Sequence, residues 1–146
     1  MLKVGTFLLA VCLIFSGLYG VLLAFSPATI SSSTLEVRGG TYETDKDTPA
    51  GQAFIVQTRH LGVFAICLSI GLFFVLFAAF NKGAPWAWWA FLVTGGIGWV
   101  YGLIVQILEG DMLNTILHII GIIILAFGLL LPIKVFFGKE SKEVME

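Results

Sequence analysis

The chain has 146 residues, of which 58% are hydrophobic and only 12% charged, with eight Lys and Arg against nine Asp and Glu and a mean hydropathy of +1.00. Soluble domains carry about 25% charged residues, so a water-soluble globular fold is excluded. The basic residues are scattered and form no patch able to neutralise several phosphates, which argues against a nucleic acid partner.

Four stretches, 4–26, 55–80, 86–108 and 112–135, are each long and apolar enough to cross a bilayer as a helix of about 20 residues. The expected fold is all-α: a single membrane domain over 1–146, an antiparallel four-helix bundle with an outer link at 27–54 and a tail at 136–146. Span one follows Lys3 and has the apolar run of a signal peptide from Val4 to Phe15, but no clean small-x-small cleavage site follows, so it reads as a retained span. Leu9-Ala10-Val11-Cys12 is a poor lipoprotein signal because Val11 is larger than the residue expected before a lipidated cysteine. Cys12 and Cys67 both fall inside spans and read as small apolar packing residues.

The outer link is the one segment with room for structure of its own. Thr34 to Thr44 alternates apolar and polar residues around Gly39-Gly40, as in a short β-hairpin with a tight turn. Ser31-Ser32-Ser33 and Asp45-Lys46-Asp47 equally describe a polar loop. Thr48 followed by Pro49 reads as a helix N-cap and first helical position, so span two begins outside the membrane and carries Gln57, Arg59 and His60 ahead of its apolar part.

The links at 81–85 and 109–111 are short enough to make consecutive spans antiparallel neighbours. Trp86, Trp88 and Trp89 open span three, as aromatic residues do at a membrane interface. Helices in lipid gain nothing hydrophobic by touching, so small residues must let the backbones approach. Thr94, Gly98 and Gly102 recur every fourth residue of span three beside Gly95 and Gly96, Gly121 and Gly128 lie seven apart in span four, and Ser16 and Gly20 lie four apart in span one. These are the expected packing residues, with Gly98 at the centre of the interface. Pro132 marks the end of span four.

Lys3, Lys82, Lys134, Lys139 and Lys142 fall on one side of the four spans, and Arg38, Lys46 and Arg59 on the other. By the positive-inside rule both termini are cytoplasmic and the 27–54 link is outside.

Ionisable groups within a bilayer are costly and face a bundle interior or a cavity. Asp111, Asn114, His118, Gly121, Leu125 and Gly128 follow one helical face of span four. Gln106 and Glu109 of span three and Arg59 and His60 of span two come to about the same depth. Three readings are open. In the first, Arg59 pairs with Glu109 or Asp111 and His118 bonds a neighbour, fixing helix register. In the second, these residues line a pocket for a quinone or small ligand, with Trp99 or Tyr101 flanking its ring. In the third, His60, Glu109, Asp111 and His118 hold a metal or relay protons, although no HxxxH, ExxH or CxxC spacing is present. No nucleophile with an evident base and no phosphate loop occurs, so the chain carries no signature of an enzyme acting alone.

Arg59-His60-Leu61-Gly62 leading into Ser69-Ile70-Gly71-Leu72-Phe73, with Gly95-Gly96-Ile97-Gly98 later, resembles the DoxX-like small four-span families of bacterial membrane proteins. The resemblance implies a four-helix protein of the bacterial inner membrane. One branch of that group is associated with quinone-linked sulfur oxidation, which implies quinone for the pocket reading; this chain differs from it in lacking a redox motif and in its longer outer link. The function expected from the sequence is an accessory or scaffolding subunit of a larger membrane assembly, with lipids and other membrane subunits or a second copy as partners. The alternative is a quinone- or lipid-binding module whose polar site lies in the outer half of the bundle.

Overall fold

The computed structural model describes residues 1–27 and 41–138. Six α-helices are present among them: α1 (Leu2–Phe25), α2 (Tyr42–Asp45), α3 (Pro49–Ala78), α4 (Pro85–Glu109), α5 (Met112–Leu130) and α6 (Ile133–Phe137), with a 3-10 turn at Phe80–Lys82. Helices α1, α3, α4 and α5 are each long and apolar enough to cross a membrane. The protein is therefore an integral membrane protein, since apolar helices of this length satisfy their backbone internally and have no other favourable solvent.

Local chemistry sets where each helix begins and ends. Thr48 caps α3, its hydroxyl accepting from Gly51 N at 3.0 Å, and Pro49 occupies the first helical position, where its missing N–H costs nothing. Gly83 at φ 76° turns the chain into Pro85 and α4. Gly110 at φ 75° ends α4, and Asp111 then caps α5 by accepting from Asn114 N at 3.1 Å. Both glycines are in the left-handed region, which a side chain would strain.

The expected fourth span, 112–135, is interrupted. Helix α5 stops at Leu130, and Pro132 precedes the short α6 because it has no N–H to continue the ladder. At this break the Leu129 carbonyl accepts from the Trp88 indole N–H at 3.0 Å. Trp88 is thus a buried member of the core at 7% exposure, while Trp86 and Trp89, at 59% and 53%, remain open to an interface.

Residues 41–44, expected as one arm of a hairpin or as loop, form a helical turn. Thr41 and Thr44 cap it reciprocally, each side chain accepting from the other's backbone N–H. Residues 34–40 of that expected hairpin lie outside the described residues. Glu43 hydrogen-bonds Lys46 and holds its ammonium above the usual lysine range. The turn rests on Gly51, where a Cβ would come within 1.8 Å of the Asp45 carbonyl.

Helix pairing follows the small residues. Gly20 of α1 packs on Gly62 of α3, and Gly5 of α1 packs on Gly128 and Pro132 at the far end of α5. Helices α4 and α5 pack on each other and α5 on α1, whereas α3 and α4 touch only briefly. The end of the molecule carrying Lys82 is solid: Phe80 meets Phe91 at 5.4 Å and Phe136 at 4.7 Å, surrounded by Leu9, Leu76 and Leu129. At the end carrying Asp111, α3 and α4 stand apart and the interior is open.

Candidate functional site: a cavity beneath a polar cap

Two reciprocal insertions position the site. Gly102 of α4 makes room for the His118 imidazole, and Gly121 of α5 makes room for the Trp99 indole; a Cβ at either glycine would come within 2.4 Å of the ring. The two rings then meet edge to face at 5.4 Å. Beside them lies a cavity of about 230 Å3, walled by all four long helices and lined by residues that include Phe15, Tyr19, Ser69, Gly98, Trp99 and His118.

A hydrogen-bonded chain closes the polar end of this cavity. Asp111 and Asn114 are buried, at 3% and 5% exposure. The Asn114 amide donates to Asp111 Oδ2 at 2.7 Å, and its Oδ1 accepts from the Tyr19 hydroxyl at 3.4 Å. The Asn114 backbone carbonyl lies 2.7 Å from His118 Nδ1. Three helical elements, α1, the α4–α5 turn and α5, are thereby tied at one level. Below it the walls are largely apolar: the Ser16 hydroxyl turns on the Cys12 carbonyl at 3.0 Å and the Thr94 hydroxyl on the Ala90 carbonyl at 2.6 Å, and Ser69 of α3 is a further polar member of the lining.

The structure gathers only part of the expected cluster. Asp111, Asn114 and His118 come together as described. Gln106 lies on the α5-facing side of α4, with a buried Oε1 that has no hydrogen-bond partner among the described residues. Glu109 ends α4 and is half-buried. Arg59 and His60 are exposed, one turn beyond the Gly62 packing point, and no ion pair joins Arg59 to Glu109 or Asp111. The reason is the separation of α3 from α4 and α5. Trp99 lines the cavity, while Tyr101 is 68% exposed on the other side of α4. Among the described residues no three His, Cys, Asp or Glu side chains gather as metal ligands.

Of the expected packing residues, Gly20, Gly102, Gly121 and Gly128 are at close contacts, and Ser16 and Thr94 bond their own backbones. Gly98 is different. A Cβ there would meet no atom within 4 Å, because Gly98 is part of the cavity wall and not of a helix contact. Sequence reasoning missed Tyr19, Ser69, Gly5 and Gly62. Tyr19 had a signal: Cys12, Ser16 and Tyr19 fall on one face of an otherwise apolar helix. No protein-family model, no curated protein and no solved structure matches this chain.

Proposed function

We propose that this protein is a membrane-embedded binding module for an apolar ligand with a small polar end, a quinone or a lipid. The supporting observation is the cavity of about 230 Å3, apolar along its walls and closed by the Tyr19, Asn114, Asp111 and His118 chain. Sites for small apolar ligands have this composition, a greasy chamber with a few convergent polar groups. The four helices cross the membrane as an up-down-up-down bundle, a reading supported by contacts that pair the start of α1 with the end of α5, and Gly20 and then Gly17 of α1 with Gly62 and then Ser69 in the middle of α3. Both termini are placed in the cytoplasm on the lysine distribution, which sets the polar cap in the outer leaflet. Kinship with the DoxX-like families of the bacterial inner membrane belongs to the same proposal and rests on the motifs at 59–62, 69–73 and 95–98.

The test is direct. Protein purified in mild detergent is extracted with organic solvent and the extract analysed by mass spectrometry. A stoichiometric apolar compound is expected from the unaltered protein and its loss from Gly98→Leu, which fills the chamber without meeting a neighbouring backbone. An extract holding only bulk lipid in both would refute the reading.

A second reading, an accessory or scaffolding subunit of a larger assembly, draws on α4. It is the least buried of the four long helices and exposes Trp89, Val93, Ile97 and Ile104. Stoichiometric co-purifying membrane proteins, lost when Ile97 and Ile104 are changed to Ala, are the result that would favour it.

A further inference from the structure

We propose that the chamber opens sideways into the bilayer through the cleft between α3 and α4, and that it receives the uncharged head of a long-tailed molecule whose tail stays in the lipid. This rests on the binding reading above and narrows its ligand to a class.

Packing among the described residues closes the other sides. At the polar end the Tyr19, Asn114, Asp111 and His118 chain ties α1 to α5. At the opposite end the floor is Phe91, whose ring lies edge to face on the fully buried Phe80 at 5.4 Å. The α1 and α3 backbones meet at Gly20 and Gly62. Between α1 and α5 the wall is completed by Phe15, stacked on Trp99 at 6.5 Å. Helices α4 and α5 are locked together by Trp99 on Gly121, His118 on Gly102 and Leu125 on Gly95. Only α3 and α4, which touch briefly, leave a gap between neighbours.

The lips of that gap are Leu68 of α3 and Gly98 of α4. Both line the chamber and both are exposed, and a Cβ at Gly98 would meet nothing within 4 Å. Each is thus part of the inner wall and of the outer surface. Their depth follows from the helix rise: Leu68 is ten residues before the end of α3 and Gly98 thirteen after the start of α4, about 15 Å and about 20 Å from the link that joins them. A hydrocarbon core is about 30 Å thick. The mouth therefore opens onto lipid tails and not onto headgroups or water.

That depth and the size of the chamber define the ligand. A cavity of about 150 Å3 holds a benzene ring, so one of about 230 Å3 holds a substituted ring or a small head with its first carbons. The rest of a quinone or lipid must lie outside, and the cleft is where it can lie. A chain alone would leave the Tyr19, Ser69 and His118 polar atoms of the lining unmatched, which is costly where water is excluded; a polar head can pair with them. A phosphate or ammonium head would have to cross hydrocarbon to arrive, at a cost of several kcal/mol. An uncharged head on an apolar tail satisfies each condition, and two sources share this chemistry: a tailed quinone and a neutral lipid alcohol.

In the test, the full chain is reconstituted in phosphatidylcholine vesicles and photolabelled with two pairs of compounds, one with a benzoquinone head on a decyl tail and the other 1-decanol. In each pair the diazirine sits either beside the head or at the far end of the tail, and adducts are located by peptide mass spectrometry with and without excess unlabelled compound. For at least one pair, near-head adducts are expected on Trp99, His118 or Ser69, tail-end adducts on Leu68 or on the exposed Phe64 and Ile97 beside the cleft, and loss of both under competition. The pattern with the quinone pair alone assigns a quinone, and with the decanol pair alone a neutral lipid alcohol. Competed tail-end adducts beside the cap, at Met112 or Leu113, or on the outer faces of α1 and α5 would overturn the sideways mouth while leaving a ligand site. Tail ends inside the chamber with heads outside, or chamber adducts from a phosphatidylcholine labelled on its acyl chain, would overturn the uncharged head. If no probe gives a competed adduct inside the chamber, the binding reading itself fails.

Discussion

Gly102 and Gly121 each lack a side chain where a ring from the opposite helix enters, and the two rings, His118 and Trp99, form one wall of the chamber. Alanine at either position would force a ring out of place, and overpacking of this kind costs about 1–3 kcal/mol. Gly102→Ala and Gly121→Ala are therefore expected to lower the melting temperature in detergent. Gly96→Ala, where a Cβ meets nothing within 4 Å, is expected to be neutral or mildly stabilising, because alanine is the better helix former by about 1 kcal/mol. At the other end of the molecule the Trp88 indole N–H donates to the Leu129 carbonyl at the break before Pro132. Trp88→Phe keeps the ring and removes the donor, leaving a buried carbonyl unpaired at a cost of about 1–3 kcal/mol. Thermal unfolding followed by circular dichroism should show that loss, with little change for the exposed Trp86→Phe.

Helix α1 joins the structure together: it packs on α3 along one side and on α5 along the other, while α3 and α4 scarcely touch. Its contact with α3 is nearly backbone on backbone. At Gly62 a Cβ would come within 2.4 Å of Ala24 N and 2.6 Å of the Gly20 carbonyl, and neither backbone atom can yield as a side chain would. Gly62→Val should therefore separate α3 from α1, whereas Gly71→Val, on the same helix with nothing within 4 Å, should be tolerated. Cysteine pairs placed at the α1–α3 contact would report this: cross-linking is expected to fail in the Gly62 variant and to survive in the Gly71 variant. The α3 helix also explains why Arg59 and His60 stay out of the polar cluster. At 30 residues it is about 45 Å long, longer than a bilayer core, and its first turns run past the end of α1.

At the scale of the whole molecule, one end is filled by Phe80, Phe91, Phe136 and Trp88 and the other holds a chamber under a polar cap. The solid end lies beside Lys82 and the capped end beside Asp111. The proposed orientation, with both termini in the cytoplasm, predicts that a C-terminal tag is inaccessible to a membrane-impermeant label in intact cells and labelled after permeabilisation. Labelling in intact cells would reverse the orientation and put the polar cap in the inner leaflet.

The four long apolar helices were legible in the residues alone, because the solvent for such stretches follows from composition, and so were the Thr48 cap and the stop at Pro132, because capping and the missing proline N–H are local chemistry. Asp111, Asn114 and His118 were legible for the same reason, since positions three and four apart along one helix share a face whatever surrounds them. Which helix faces which was decided only in three dimensions. Gly98 and Gly102 are identical in type and four residues apart, yet one borders open space and the other receives an imidazole. Helical spacing sets the direction of a residue about its own axis and says nothing about the distance to the next helix. That distance depends on glycines in other helices, Gly20 against Gly62 and Gly5 against Gly128, and those contacts hold α3 away from α4 and leave the chamber between them.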